Sequence, residues 1–212
     1  MTAAATTFRP PATTPEARRK RRLELKLSPA ASPSFRAFAK TVNIAELDEA
    51  LVAVHEAGHA VAGEVLGGRG TVHSAVTTPS FSMTGVQGKT FYTDALDAQI
   101  KGSVAFAGSY AEARWAAGPR PSTRAVAAAR ARHGCSDDAV VAALVASGDY
   151  HHRACDRVLE GCWPAVMTLA GKLFTDGEVT GTDVLAALGC DEQDHAGTAF
   201  RLANLRSGLL TL

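Results

Sequence analysis

Leu51-Val52-Ala53-Val54-His55-Glu56-Ala57-Gly58-His59-Ala60-Val61 is an HExxH pattern set in an apolar, helix-compatible run. Side chains four apart on an α-helix stand one turn above each other on one face. The imidazoles of His55 and His59 can therefore reach one zinc ion together. Glu56 follows the first histidine and can lean over the open metal position as general base. Five-letter patterns with three fixed letters also arise by chance, and on a solvated face this one would be inert. Here Val52, Val54, Val61 and Val65 surround it. Burying two histidines and a glutamate without partners is costly, so the setting favours a metal site.

The helix around the pattern has legible ends. Asn43 is a suitable N-cap, with Glu46 three residues on as its capping-box partner. Leu47, Leu51, Val54, Val61 and Val65 keep helical spacing, and Gly67-Gly68 terminates it. Gly58 weakens helix propensity inside the run, but its missing side chain lets another element approach closely. Residues 72–78 and 83–91 read as two short strands, and 94–115 return to helical spacing through Leu96, Ile100, Val104, Ala107 and Ala111. Residues 123–132 predict a short basic helix and 139–146 an apolar one. Residues 150–174 predict one helix despite Pro164, and 180–188 a last short helix. Mainly α-helical (α+β) is the expected class: an HExxH helix, a small β-hairpin or sheet, and a C-terminal helical bundle.

The 212 residues carry a net charge of +1, unevenly placed. Residues 1–41 hold nine Lys/Arg and two Glu, whereas the rest holds thirteen Lys/Arg and nineteen Asp/Glu. Residues 1–41, rich in Ala, Thr and Pro and carrying Arg18-Arg19-Lys20-Arg21-Arg22, read as a disordered basic tail. Such a cluster suits an acidic partner, a membrane surface or organelle targeting. It has no interleaved aromatic residues, so specific nucleic-acid recognition is not expected. Residues 42–190 read as the folded domain and 191–212 as a C-terminal tail. No apolar run reaches the ~18–20 residues of a membrane span. Cys135, Cys155, Cys162 and Cys190 form no CxxC pair and read as reduced thiols of a cytoplasmic protein.

A catalytic zinc usually has a third protein ligand. Ala62 and Val65 stand where a metzincin pattern wants glycine and histidine, and no acidic residue lies between Glu64 and Asp94. His73 is a weak candidate. Glu112, His133, Asp137 and Asp138 are the main ones.

His55-Glu56-Ala57-Gly58-His59-Ala60-Val61 resembles the peptidase domain of the FtsH-type ATP-dependent zinc proteases. Pro79, Gly85 and Val86 keep the spacing of that family's strand segment. Ala107-Gly108-Ser109-Tyr110-Ala111-Glu112 resembles its Ala-Gly-x-x-Ala-Glu helix. Gly134-Cys135-Ser136-Asp137-Asp138 resembles its Gly-Ala-Ser-Asn-Asp segment. Leu169-Ala170 through Thr180-Gly181, Val184 and Leu185 resembles its closing helices. The resemblance implies zinc held by His55, His59 and Asp138, with Glu56 as catalytic base. It further implies substrate binding along the strand at Gly85 and Val86. Glu112 could orient a ligand from behind or, equally, serve helix packing or an ion pair. Asp137 stands where the family has asparagine, so it competes with Asp138 as ligand. The sequence carries no G-x-x-x-x-G-K-[ST] phosphate cradle. The expectation is therefore a stand-alone peptidase domain acting on unfolded or flexible polypeptide, ATP-independent on its own, served by a separate AAA+ ATPase partner or assembled as a homo-oligomer. Two other readings are a catalytically quiet metal-binding adaptor that docks to a complete protease, and a regulatory HExxH peptidase acting on a repressor.

Overall fold

The computed structural model describes residues 15–25, 34–79, 86–133, 137, 139–142 and 153–212. These form, in chain order, α1 (Pro15–Leu25), α2 (Phe35–Ala39), α3 (Ile44–Gly67), β1 (Val72–Pro79), β2 (Val86–Tyr92), α4 (Ala98–Ala117) and α5 (Thr123–His133). After them come α6 (Arg153–Gly161), α7 (Trp163–Asp176), β3 (Glu178–Thr180), α8 (Gly181–Ala187) and α9 (His195–Ser207). Asp137 and residues 139–142 are also helical. The protein is mainly helical, with one small antiparallel sheet.

α3 is the axis of the fold. Asn43 caps it in a complete capping box with Glu46, and Gly68, at φ 98°, ends it. Every residue from Ala50 to Leu66 is buried, as expected of a helix that is apolar nearly all round. Small residues set how closely its neighbours approach. A Cβ at Gly58 would lie 2.7 Å from the Ala111 Cβ and 2.8 Å from the Ala107 carbonyl oxygen of α4. At Gly63 it would lie 2.8 Å from the Tyr92 ring. The close approach expected at Gly58 is thus made by α4.

The sheet has the order β2-β1-β3. β1 pairs with β2 from Val72↔Tyr92 to Pro79↔Val86, with a register shift between Val72 and Ser74, and with β3 from Ser74↔Thr180 to Val76↔Glu178. Among the described residues β2 is therefore an edge strand. Buried Glu64 launches β1: its carboxylate accepts from the Gly70 amide at 2.6 Å and the Val72 amide at 2.9 Å.

The structure departs from the sequence expectation in three places. Of the segment read as a single helix over 150–174, the described residues from 153 on form two helices, because Cys162 leaves helical geometry (φ −108°, ψ 21°) and Pro164 falls in the first turn of α7. An N–H in that turn has no intrahelical acceptor, so proline costs nothing there. Residues 191–212, expected as a tail, include α9. Its Leu202 and Leu205 are buried, and Arg206 Nε donates to the Val65 carbonyl at 2.9 Å. The expected disordered tail 1–41 contains α1 and α2. Arg21 and Arg22 of α1 bond Glu46 at 3.1 Å and Glu49 at 2.7 Å. Phe38 of α2 is fully buried, 5.5 Å from the Trp115 ring and 5.9 Å from that of Phe174. The arginines of α1 and buried Phe38 of α2 together supply the attachment of these two helices to the domain. No helix among the described residues is long and apolar enough to cross a membrane.

Two predictions follow from the packing. Phe38→Ala should lower stability by about 3–5 kcal/mol, and deletion of residues 1–41 should destabilise the domain as well; urea denaturation measures both. The second concerns Glu160, which accepts from Tyr110 Oη at 2.9 Å, Arg114 Nε at 3.0 Å and the Arg120 amide at 2.9 Å. Burial raises its pKa, but the Arg120 amide, Tyr110 and Arg114 outweigh that and hold it below the ordinary carboxylate range. A carboxyl with a lower pKa folded than unfolded stabilises above its unfolded pKa, about 4.3, and that stability is lost as pH falls through the folded value. Glu160→Gln should flatten the acid side of the stability–pH profile, and an unchanged acid limb would refute this.

Candidate metal centre

His55 and His59 lie mid-way along α3, where the backbone is held on all sides, and are 3% and 6% exposed. Their rings meet edge to face with centroids 4.7 Å apart. His55, Glu56 and His59 form a buried donor group whose ligand atoms all lie within 4.8 Å of one another and which can hold a metal ion.

A third donor comes from the far side of the cleft. Asp137 Oδ2 lies 3.1 Å from His55 Nε2 and 3.2 Å from His59 Nε2. Donors bound at ~2.0–2.2 Å to one tetrahedral ion stand about 3.3–3.6 Å apart, so this spacing fits with a small adjustment. Space also fits. A Cβ at Gly108 of α4 would come within 2.5 Å of Nε2 on both histidines, so only a hydrogen leaves the gap between them open.

The charges point the same way. Burial alone disfavours a cation on His55, but the hydrogen bond to Asp137 and the facing Glu112 carboxylate outweigh it, helped by the Glu56 charge, and the pKa is pushed up to about 10. Burial raises Asp137, yet the neighbouring His59 and His55 hold it well below the usual carboxylate range. Carboxylates on three sides of a buried imidazole pair make a place that favours positive charge.

Both rings are oriented from behind, as metal-binding histidines are. His59 Nδ1 donates to the Val104 carbonyl at 2.7 Å. His55 Nδ1 faces Glu112 Oε2 at 3.6 Å. Each ring thus presents Nε2 toward Asp137.

Glu56 is held by β2. Thr90 Oγ1 donates to its Oε2 at 2.7 Å, and a Cβ at Gly88 would lie 2.4 Å from both its Cγ and its Oε1. Along β2, Val86, Gly88, Thr90 and Tyr92 turn inward while Gln87, Lys89 and Phe91 are exposed. The edge strand therefore runs beside the carboxylate. Together they bound a cleft of about 660 Å³ that contains His55, Glu56, His59 and Asp137. A second cleft, of about 690 Å³, lies at Tyr110, Glu160 and Leu210 and is lined by no histidine or cysteine.

Of the residues expected from the sequence, the structure brings together His55, Glu56, His59 and Asp137, with Val86 on the cleft wall. Asp138 and Gly85 lie outside the described residues. Glu112 lies between His55 and His133, His133 is itself on the cleft wall, and His73 is exposed on β1. Sequence reading placed Gly88 and Thr90 only on a strand with substrate pairing implied along it, and gave Gly108 no site role. Period-two alternation along 86–92 was the available signal for the first two, and for Gly108 a glycine inside an otherwise good helix. Compared with family models, curated proteins and solved structures, the chain matches none.

Gly108→Ala tests the geometry of the cradle. Alanine is the better helix former by about 1 kcal/mol, so helical content should be kept. The added methyl should abolish metal uptake, measured as bound metal per chain. Full uptake by this variant would contradict the placement.

Proposed function

We propose that this chain is a zinc-dependent endopeptidase of the kind that its FtsH-type resemblance implies, acting on extended polypeptide. The observation that carries the reading is the placement of Glu56. Its carboxylate stands beside two histidine Nε2 atoms and an aspartate, in a cleft walled by the edge strand β2. Bound zinc would supply a Lewis acid that polarises a carbonyl and acidifies a water.

The chain's own groups supply the rest. His55 and His59 hold the ion with one aspartate. Asp137 lies at a distance that suits that role, while the resemblance implies Asp138. Thr90 fixes Oε2 of Glu56, which leaves Oε1 to take a proton from the attacking water and return it to the leaving amine. Among the described residues β2 is an edge strand, which suits main-chain pairing with an extended substrate, as in β-strand addition, with Val86 on the cleft wall.

A folded substrate, stable by ~5–15 kcal/mol, hides most of its backbone. These 212 residues contain no nucleotide cradle, so the proposed substrates are unfolded or flexible chains, with folded ones requiring a separate ATPase partner.

Glu56→Gln should retain stoichiometric zinc and lose hydrolysis of an unfolded protein, whereas His55→Ala and His59→Ala should lose the zinc. Chelation should stop cleavage, ATP should not stimulate it, and a folded form of the same substrate should survive. Full activity of Glu56→Gln would overturn the mechanism. Full zinc occupancy without cleavage of either form would favour the adaptor reading instead.

A further inference from the structure

Beside the histidine pair, polar side chains run from the cleft wall, where Arg132 and His133 lie, into the protein. Glu112 is fully buried. Its Oε2 faces His55 Nδ1 at 3.6 Å and accepts from His133 Nδ1 at 2.9 Å, while its Oε1 meets the Arg132 guanidinium. His133 Nε2 in turn lies 3.0 Å from Asp48 Oδ1. The order is Asp48, His133, Glu112, His55. Asp48 and His55 are seven residues apart on α3, about two turns. One helix therefore supplies both ends of the chain, α4 supplies Glu112, and α5 supplies His133 at its last position.

Such a chain is an unusual thing to enclose. Asp48 is largely enclosed and its Oδ2 is buried with no hydrogen-bond partner, as is His55 Nδ1. Buried polar groups cost stability unless matched, and an apolar set of the same size would close α3, α4 and α5 without that cost. Both ring nitrogens of His133 face carboxylates, so it has none left for an ion and cannot flip without losing a hydrogen bond. His133 is thereby excluded as the third ligand, a role for which its sequence position had made it a candidate.

We propose that His133, braced by Asp48, is a positioning residue of the metal centre, acting through Glu112 on His55. The inference rests on the metal-binding reading of the site. His133 pins Glu112 Oε2 on the His55 side. The Glu112 carboxylate, 3.6 Å from His55 Nδ1, then favours the ring orientation that turns Nε2 toward Asp137. Arg132, with its side chain 41% exposed, is the other holder of Glu112. Without His133 the carboxylate is held from one side only, and His55 is free to rotate off the ligand position. Asp48 acts one step further back by fixing the His133 ring.

The test is zinc affinity of the full chain, measured by competition with a chromogenic chelator, together with the visible spectrum of the cobalt-loaded protein and the melting temperature of the metal-free one. His133→Ala should weaken zinc binding by about 10–100-fold, the usual effect of removing a group behind a metal-bound histidine. His133→Gln keeps an N–H donor for Glu112 and should recover part of the loss. Asp48→Asn, nearly isosteric, should weaken binding several-fold and alter the cobalt spectrum while leaving the metal-free melting temperature near that of the wild type. If His133→Ala fails to fold, the Gln and Asn variants decide. Zinc affinities within twofold of wild type and an unchanged cobalt spectrum in both would overturn the proposal. Failure of the wild-type chain to bind zinc or cobalt would instead overturn the metal-binding reading itself.

Discussion

The contact between α3 and α4 is what the site depends on, and it is made at two glycines. Gly58 lets the α4 backbone lie against α3, and Gly108 leaves open the gap between the two histidine Nε2 atoms. A methyl group at either position forces the helices apart or fills the gap. Interiors are close-packed, so a displacement of that size cannot be absorbed locally. The same approach brings Val104 to His59 and Glu112 to His55. One interhelical distance thus sets the space for an ion and the orientation of both rings.

A central helix buried from Ala50 to Leu66 would ordinarily be apolar throughout, yet this one carries His55, Glu56, His59 and Glu64. Each is met by groups from another part of the fold. Glu64 receives the Gly70 and Val72 amides and turns the chain into β1, although burial pushes its carboxyl up. Glu56 receives the Thr90 hydroxyl, and the histidines receive carboxylates and a carbonyl. The polar residues of α3 therefore divide between building the sheet and building the site, and the sheet returns β2 to the side of Glu56.

Charge has a structural part at the amino-terminal end. The arginines of α1 reach Glu46 and Glu49 at the start of α3 and Asp176 at the end of α7. Glu46 is also the capping-box partner of Asn43, so one carboxylate both starts the central helix and anchors α1. Exposed ion pairs contribute little each. Phe38 packed between Trp115 and Phe174 supplies the apolar part of this attachment.

Local signals determined much of this by themselves. The cap at Asn43, the stop at Gly68, the HExxH face and the helical spacing that became α4 are set by residues within a few positions of each other, so they were legible in the sequence. β-Branched and Thr-rich stretches punctuated by Pro79, Gly85 and Gly88 likewise located β1 and β2 to within a few residues. What only the tertiary structure decided are relations between segments far apart in the chain. Whether His133 or Asp137 reaches the histidines depends on how α5 ends and where the chain passes next. Gly108 matters only because α4 crosses α3 at that residue. The arginines of α1 look like a solvated tail until the acids of α3 and α7 are placed opposite them. The docking of α9 depends on Leu202 and Leu205 reaching the core and on Arg206 reaching the Val65 carbonyl. Sequence patterns report what a residue prefers next to its neighbours, whereas these outcomes were fixed by which distant side chains share a buried space.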